Sequence, residues 1–545
     1  MRPLLPALLA LASACPAAAR DALNIGMPEF PSSLHPHIDP LLVKSYVLGF
    51  TTRTVTTYNG EGKLICLLCT EVPSLENGLA RREDRPDGTQ GLAVTIKLKP
   101  DLQWGDGEPV TARDLLFTWK VGSDPNAGFS NGYPWTRADK VDVVDDHTAV
   151  LHLPRPLTSF ALWDQIIPEH IEGPVYAAAK NPGDYINNTT FNRSPTNPGL
   201  WDGPYIISEY RSGSEIVLAP NPHWPGTKPG FNHVLLRFIG DTAALQANIL
   251  SGDVDTAYTL PLDQILAMRK ASPDRFQFLF SPSLTYFHID VAHDNKVLSD
   301  VRVRRALLMA MDRDAISQRL FDGMYKVAPA FVSPRNPEFD ASLPPVPFDP
   351  DAGARLLTEA GWTPGPDGTR VNAAGQKLQF ELLYGAGFRV NDIEAAVLQS
   401  GWKKLGADVT LRTEPSRTLF GQTTKHRAFP GMVMYSWTSN IAESPRLTLG
   451  SDSIPSEANN WGGANFMGWS NAKFDADVAA AEVELDPAKR KALWADMQRL
   501  YLQDLPALPM FITTIGYVLP KWLHGYGPSG TGQAWTQNAE EWRAD

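Results

Sequence analysis

The sequence has little positive charge, few cysteines and no second long apolar run, and these shortages exclude several classes of protein. Lys and Arg total 49 against 60 Asp and Glu, which gives a net charge of −11. A chain of this sign lacks the basic face with which general nucleic-acid binders displace counterions, so no nucleic-acid partner is expected. Beyond the leader, no stretch reaches the roughly 18 apolar residues of a membrane-spanning helix.

Cysteine is nearly absent from the mature part of the chain. Cys15 falls within the leader described below, which leaves the C-x-x-C pair Cys66 and Cys69. A zinc site would need two further ligands, and no His pair follows at finger spacing. Pro73 and Asn77-Gly78 indicate loops in place of the βαβ context of a thioredoxin-like motif. The pair is therefore predicted to form a local disulfide or to remain as two free thiols.

Catalytic signatures are missing or incomplete, with no G-x-S-x-G, H-E-x-x-H or Walker A sequence. Ser470-x-x-Lys473 resembles the penicillin-recognising serine motif but lacks its Lys-Thr-Gly companion. Gly525-x-Gly527-x-x-Gly530 matches a dinucleotide fingerprint in letters only, because it lies too near the end of the sequence. His35-x-His37-x-Asp39 could offer metal ligands, but the interleaved prolines favour an irregular loop. We therefore predict no catalytic residue, no metal site and no cofactor.

The residues that are present indicate a folded protein of several domains. A composition of 43% hydrophobic and 20% charged residues is typical of globular proteins. At about 100–200 residues per domain, 545 residues predict roughly three domains or two large lobes. The 46 Pro and 42 Gly indicate many turns on an α/β or α+β frame, and the 15 Trp favour an aromatic-lined ligand site.

The first 19 residues have the organisation of a secretory signal peptide. A short positive start at Met1-Arg2-Pro3 precedes the apolar run Leu4 to Ala14, and Ala17-Ala18-Ala19 supplies the small residues of a cleavage site. We expect cleavage after Ala19 and export to the periplasm. A lipobox at residues 12–15, with Cys15 acylated, stays open as an alternative.

Helix starts are predicted from capping residues that precede apolar periodicity. Leu92 to Lys99 alternates as a half-buried strand. The predicted helices start at Thr111 with Asp114 (through about Lys120), at Ser299 or Asp300 (through Met311), at Asp312 (ending before Gly323) and at Asp349-Pro350 (ending at Gly361).

The stretch from Leu378 to Arg412 predicts a parallel crossover. A strand over Leu378 to Tyr384 is followed by a helix, capped by Asn391 with Glu394 and ending at Gly406, and by a second strand to Arg412. Met432 to Ser436 predicts a further strand. Ligands of open α/β sheets bind beyond the carboxyl ends of parallel strands. This rule nominates four residues as ligand contacts: Phe388, Arg389, Trp437 and Asn440.

Five motifs, taken in order, resemble those of the family 5 extracellular solute-binding proteins of ABC importers, which include dipeptide-, oligopeptide- and nickel-binding proteins. The motifs are Trp104-Gly-Asp-Gly-Glu-Pro-Val-Thr-Ala-Arg-Asp114, Gly203-Pro-Tyr205 with Asn221-Pro-His-Trp224, Ser251-Gly-Asp-Val-Asp255, Asp300-Val-Arg-Val-Arg-Arg-Ala306 with Ala310-Met-Asp-Arg313, and the helix Ala354 to Gly361.

The resemblance implies an α/β fold of the periplasmic binding protein-like class (type II, cluster C). Two α/β lobes would close by a hinge, with an additional domain on the first lobe. Lobe one would comprise 20–51, 185–285 and 505–545, the additional domain 52–184, and lobe two 286–504.

The resemblance also implies a ligand site. Dipeptide-binding members use a Gly-Trp-x-x-Asp segment whose Asp pairs the peptide ammonium, whereas this chain has Ser436-Trp-Thr-Ser-Asn440. Glu443 could replace the missing charge if the loop turns back, and its alternative is a solvated loop carboxylate. The resemblance further implies that Arg389 faces the peptide carboxylate, that Trp437 stacks on the ligand, and that Glu29 and Phe30 border the cleft.

The function that the resemblance implies is capture without chemistry. The protein would act as the periplasmic substrate-binding component of an ABC importer, carrying a peptide or other small polar solute to the permease subunits in the inner membrane. It is expected to be a monomer and not an enzyme. A secreted serine-type hydrolase of peptides or cell-wall fragments, with Ser470 as nucleophile, is the alternative.

Overall fold

A computed structural model describes residues 20–39, 41–129, 135–258, 260–441, 443–527 and 535–545. The predicted signal peptide, the lipobox cysteine Cys15 and Gly530 lie outside these residues. The strands in chain order are β1 Ala22–Met27, β2 Thr56–Tyr58, β3 Leu64–Cys66, β4 Ala80–Asp84, β5 Gln90–Lys97, β6 Lys140–Asp145, β7 Thr148–Leu153, β8 Tyr205–Arg211, β9 Glu215–Pro220, β10 His233–Phe238, β11 Thr256–Ala257, β12 Phe276–Val291, β13 Lys326–Val327, β14 Thr363–Pro364, β15 Arg370–Val371, β16 Gln379–Gly385, β17 Asp408–Glu414, β18 Met432–Thr438, β19 Ala507–Pro520, β20 Leu523–His524 and β21 Arg543–Ala544.

Helices cover the faces of the larger sheets. They are α1 Leu42–Thr51, α2 Ala112–Gly122, α3 Glu169–Ala178, α4 Asp184–Asn188, α5 Thr190–Arg193, α6 Thr242–Ser251, α7 Leu262–Ala271, α8 Val301–Met309, α9 Arg313–Phe321, α10 Pro350–Glu359, α11 Arg389–Leu405, α12 Ser416–Thr418, α13 Arg446–Leu449, α14 Ala472–Val483 and α15 Pro487–Asp504. Among the residues just described, no helix combines the length and the apolar character needed to cross a bilayer.

The first sheet has the order β11-β1-β10-β9-β8, with β1 parallel to both of its neighbours. Its core joins the start, the middle and the end of the chain, because Leu23, Leu218 and Trp542 belong to one buried cluster. A separate antiparallel sheet, β4-β5-β7-β6, packs on α2 around its own core. In β5 the alternate residues Leu92, Val94 and Ile96 are fully buried, as the predicted alternation requires.

The second large sheet has the order β13-β19-β12-β18-β16-β17. β16, α11 and β17 form the predicted parallel crossover, and β18 lies parallel to β16 on its other side. The carboxyl ends of β16 and β18 therefore point to the same edge of the sheet.

Strands β12 and β19 connect the two large sheets. They pair antiparallel from Phe276 opposite Pro520 to Asp290 opposite Ala507, with an irregularity between Pro282 and Tyr286. One end of this ladder lies in the core beside the first sheet, and the other lies in the core of the second. Residues 505–511 contribute to the second core, so the predicted boundary between 504 and 505 precedes the point where β19 leaves it. The division into lobes at those residues stays a prediction.

Most predicted helix starts are confirmed. Thr111 and Asp114 form the reciprocal capping box of α2, and Asp300, Asp312 and Asp349 cap α8, α9 and α10 through their carboxylates. These caps satisfy backbone N–H groups that have no partner within the helix.

The predicted start of α11 at Asn391 is wrong. The helix begins at Arg389, with Phe388 as its N-cap residue, because Gly387 turns the chain in the left-handed region at a φ of 91°. Glu394, predicted as the partner of Asn391, is instead 1% exposed, and its Oε1 has no hydrogen-bond partner among the described residues.

The cysteine pair, for which two states were open, forms a disulfide between Cys66 and Cys69. The bond joins the end of β3 to a residue that is fully buried in the core of the antiparallel sheet.

The histidines of the 35–39 segment are buried beside Lys44. His35 Nε2 lies 3.1 Å from the Tyr185 hydroxyl, and His37 Nε2 lies 2.9 Å from the Gln165 carbonyl oxygen. Lys44 Nζ donates to the carbonyl oxygens of His35, Pro36 and Ile38. The Nε2 atoms of both histidines therefore have partners within the fold.

Glu394 makes the stability of the fold depend on pH. Burial raises the pKa of its carboxyl from 4.5 to about 8. Because the folded state holds the proton more tightly, stability is fully present below pH 4.5 and declines as the pH rises to about 8. Glu394→Gln should remove this decline, so that the variant should gain about 3 kcal/mol of stability over the wild type between pH 5 and pH 8. Urea unfolding at both pH values measures the effect, and the exposed Glu359→Gln serves as the control. Parallel curves for wild type and Glu394→Gln would contradict it.

Candidate functional site

A cleft lies over β12 and β18, and we call it the first chamber; its space amounts to about 700 Å³ when the open solvent at its mouth is included. It is lined by Tyr286, His288, Phe331, Val332, Ser333, Asn336, Tyr435, Trp437, Ser439, Glu443, Ser444, Pro445, Thr448, Leu449, Met467, Trp494, Tyr501 and Ala507. Aromatic and aliphatic side chains with a few polar groups are typical of sites for small solutes. All of the lining residues belong to the part of the chain that surrounds the second sheet.

The floor of the first chamber consists of cross-strand pairs. Tyr286 lies opposite Trp437, and His288 lies opposite Tyr435. Because side chains alternate between the faces of a strand, these four residues share one face of the sheet. The rings of Tyr286 and His288 stack with centroids 4.7 Å apart, and those of His288 and Tyr435 are 4.6 Å apart.

Two buried hydrogen bonds fix the tyrosine rings of the floor. The Tyr435 hydroxyl donates to Asp290 Oδ2 at 2.7 Å, and Asp290 is 0% exposed. The hydroxyl oxygens of Tyr286 and Tyr501 are 2.8 Å apart. Burial raises the pKa of the Tyr435 hydroxyl well above its usual value, and the nearby Asp290 carboxylate raises it further. The pKa of Tyr286 is also raised, chiefly by burial, so both hydroxyls keep their protons at neutral pH.

Two of the seven predicted ligand residues, Trp437 and Glu443, line the first chamber. The loop after β18 turns back as the charge argument requires. The Asn440 N–H donates to Glu443 Oε2 at 2.9 Å, and the Glu443 N–H donates to the Asn440 carbonyl oxygen at 3.1 Å. Burial raises the pKa of the Glu443 carboxyl, while its hydrogen bonds from Asn440 act in the opposite direction. Glu443 thus brings a carboxylate to the chamber where Asn440 brings none.

The other five predicted residues lie outside the lining of the first chamber. Asn440 is exposed, and so are Phe388 (55%) and Arg389 at the start of α11. Phe30 packs against Tyr210 and Phe238, with ring centroids 5.7 and 6.5 Å away, and Glu29 beside it is exposed. Their roles in ligand binding stay predictions.

A second chamber adjoins the first and shares Ser444, Pro445 and Trp494 with it; its space amounts to about 740 Å³ with open solvent included. Its remaining lining residues are Tyr58, Thr158, Pro337, Glu338, Ile441, Ala481, Glu482 and Arg490. Tyr58 and Thr158 come from the antiparallel-sheet part of the chain, and the others from the part around the second sheet. The second chamber is therefore the space between these two bodies.

Paired charges border the second chamber. Arg490 Nε lies 2.7 Å from Glu338 Oε1, and the Arg446 guanidinium binds both carboxylate oxygens of Glu482 at 2.8 and 3.0 Å. The Ser444 hydroxyl donates to the same Glu482 Oε1 at 2.8 Å. The Arg446–Glu482 pair is bidentate and so holds a planar geometry, and both arginines are paired with carboxylates, which leaves little charge free for a solute.

Ser470, the candidate nucleophile, is not paired with Lys473. Its hydroxyl oxygen accepts a hydrogen bond from Ser451, whereas Lys473 Nζ donates to Asp477 at 2.5 Å. Neither residue lines either chamber. The nucleophile and base that a serine hydrolase needs are not brought together here.

Sequence reasoning missed the floor residues Tyr286, His288 and Asp290. A signal was present, because these three polar residues alternate with Phe287 and Ile289 along β12. Trp494 and Tyr501 carried no such signal, since they come from α15, far away in the sequence.

Comparison with known proteins agrees with the geometry. Residues 74–453 match the family described as bacterial extracellular solute-binding proteins, family 5. The probable deoxycholate-binding periplasmic protein YgiS of Escherichia coli is 26% identical over 82% of each chain. The oligopeptide-binding protein AppA of Bacillus subtilis is 25% identical over 80% of this chain and 78% of its own.

A solved structure also matches. The oligopeptide-binding protein of Thermus thermophilus, complexed with a pentapeptide, superposes with a TM-score of 0.73 at 28% identity, over 96% of each chain. The fold is the predicted α/β, type II periplasmic binding protein-like one. These proteins are binding proteins, and nothing in the comparisons supports the hydrolase alternative. The chain belongs to the family 5 bacterial extracellular solute-binding proteins.

Proposed function

We propose that the protein captures a peptide or peptide-like small polar solute in the first chamber and delivers it unchanged to the permease of an ABC importer. The observation that carries the proposal is the lining of that chamber, where the described residues combine several aromatic rings with one partly buried carboxylate, Glu443. A peptide backbone with a free ammonium group has the matching chemistry. The relatives named above for oligopeptides support this class of solute.

In this proposal each part of the chamber has a separate task. Trp437 covers an apolar part of the solute. The floor rings, whose hydroxyls are already hydrogen-bonded to Asp290 and Tyr501, offer the solute an uncharged aromatic surface. Glu443 pairs the solute ammonium, which would be costly to bury without a counter-charge. The affinity would come from desolvated contacts, so no catalytic group is required.

The proposal places the protein in the periplasm as a monomer. Export would follow from the leader, and the solute-loaded protein would meet the permease subunits at the inner membrane. Turnover of a bound peptide by the purified protein would instead favour an enzyme.

Removing the Trp437 ring should weaken solute binding. We expect tetra-alanine to raise the melting temperature of the wild type, since a ligand that binds only the folded state stabilises it. Trp437→Ala should reduce the affinity about tenfold, as expected for about 1.4 kcal/mol of lost ring contact. Titration calorimetry measures this, and Trp461→Ala is the control, because Trp461 packs on His426 and lines neither chamber. Binding of deoxycholate but of no peptide would show that the proposed solute class is wrong.

Neutralising Glu443 should act on the solute ammonium alone. Glu443→Gln should weaken tetra-alanine about tenfold, because a charge-assisted hydrogen bond becomes a neutral one, and leave N-acetylated tetra-alanine unchanged. In the wild type, affinity for the free peptide should fall as acid protonates Glu443, and the raised pKa places this fall above the usual range of a glutamate. Competition binding across a pH series measures both effects.

Adding a carboxylate beside Glu443, the reverse of removing one, offers a matched comparison. Asn440→Asp should shift the preference further toward free peptides, and the exposed Glu457→Gln should leave it unaltered. An equal loss for free and acetylated peptide in Glu443→Gln would contradict an ammonium role.

A further inference from the structure

The hairpin formed by β2 and β3 crosses from one body of the protein to the other. Its strands pair Thr56 with Cys66 and Tyr58 with Leu64. At its base, the Thr56 hydroxyl donates to the Ala161 carbonyl oxygen at 2.7 Å and accepts from the Trp163 N–H at 2.9 Å. The base is thereby fixed to the antiparallel-sheet body.

The tip of the hairpin has a defined shape. Asn59 Oδ1 accepts hydrogen bonds from the N–H groups of Glu61 and Lys63, each at 3.0 Å. Gly62 adopts a φ of 76°, in the left-handed region that glycine permits. The tip is therefore an ordered turn that can make a defined contact with another part of the same protein.

That surface belongs to the opposite body. The Arg335 guanidinium donates to the Gly60 carbonyl oxygen. A methyl group built on Gly62 would lie 3.5 Å from Ile441 Cδ1, so the turn and Ile441 are in near contact. A parallel link is the Thr158 N–H, which donates to the Glu482 carbonyl oxygen at 3.0 Å.

Between its base and its tip, the hairpin forms one wall of the second chamber through Tyr58. The disulfide lies at the other end of the same hairpin. Cys66 ends β3, and Cys69 is buried in the core with Val55 and Leu68. The bond therefore ties the outgoing strand of the hairpin to the rigid part of its own body.

We propose that the hairpin 56–66 is a specificity-determining wall of the solute site. The Cys66–Cys69 disulfide and the contact with Arg335 hold the hairpin in place. It thereby encloses the second chamber around the part of a solute that extends beyond the first chamber. The inference rests on the proposed function and narrows its solute class to chains that occupy both chambers. An extended peptide advances about 3.3–3.6 Å per residue, so two further residues reach about 7 Å into the adjoining space. A dipeptide would stay in the first chamber and would not meet Tyr58.

The test compares the dissociation of two probes, dialanine and tetra-alanine, followed by stopped-flow tryptophan fluorescence. In the double variant Cys66→Ser with Cys69→Ser, tetra-alanine should dissociate roughly tenfold faster, since loss of contacts acts mainly on the dissociation rate. Dialanine should change by less than about twofold. Equal changes for the two probes, or none, would overturn the proposal.

A second variant covers the case in which the cysteine double variant folds poorly. Tyr58→Ala keeps the disulfide but removes the side chain that forms the wall, and it should accelerate tetra-alanine release about fivefold. Tyr58→Phe keeps the ring and should release tetra-alanine at the wild-type rate. The exposed Arg113→Ala, on α2 of the same body, should match the wild type for both probes. Tetra-alanine release at the wild-type rate from Tyr58→Ala would contradict the role of this wall.

A measurement without solute separates this inference from the proposed function. Hydrogen–deuterium exchange of the amides at 59–65 should be faster in the cysteine double variant, because the hairpin is no longer fixed. If neither probe binds the wild type, the proposed solute class fails, and the exchange result alone decides the hairpin. Equal exchange in the two proteins would then overturn it.

Discussion

The antiparallel pairing of β12 with β19 is the constraint on which the rest of the structure depends. It runs from Phe276 opposite Pro520 to Asp290 opposite Ala507, and it is buried at both ends in different hydrophobic cores. The segment of β12 in the second core also carries Tyr286, His288 and Asp290. A change of one residue in the register would turn these side chains to the opposite face. The position of the binding cleft is therefore set by backbone hydrogen bonds that also join the two large sheets.

The electrostatics of the cleft follow from what is buried beneath it. Asp290 is fully buried beside the floor, does not line the first chamber, accepts a hydrogen bond from the Tyr435 hydroxyl and lies 3.2 Å from His288 Nε2 through its other oxygen. Arg446 and Arg490 are likewise paired with Glu482 and Glu338 beside the second chamber. Glu443, held by the Asn440 N–H, is the carboxylate of the first-chamber lining. In such a setting one group can decide which charge a solute must carry.

Local chemistry accounts for the parts of the fold that could be predicted. The caps at Thr111, Asp300, Asp312 and Asp349 need only a side-chain oxygen a few residues before free N–H groups, and a sequence shows that directly. The crossover from β16 to β17 and the placing of Trp437 at the end of β18 follow from apolar runs and strand direction. The predicted start of α11 at Asn391 is wrong because the turn at Gly387 and the N-cap residue Phe388 begin the helix earlier. Helix propensities alone do not reveal this start.

The rest of the site depends on contacts between distant segments. Trp494 and Tyr501 on α15 meet the floor only after the helix packs on the second sheet. The same holds for Glu394, whose burial results from the packing of α11. Tyr58 lies near Pro337 only because two bodies approach each other. Contacts of this kind leave no local pattern in the chain.

The lining of the first chamber has a consequence for the order of events during uptake. Every residue of that lining lies between 286 and 507, beyond the irregularity in β12 at Pro282. The surface of the first chamber is thus formed by one part of the protein alone and does not require residues from the other part. The solute would first associate with this part of the protein, and closure of the other part over it would then set the dissociation rate.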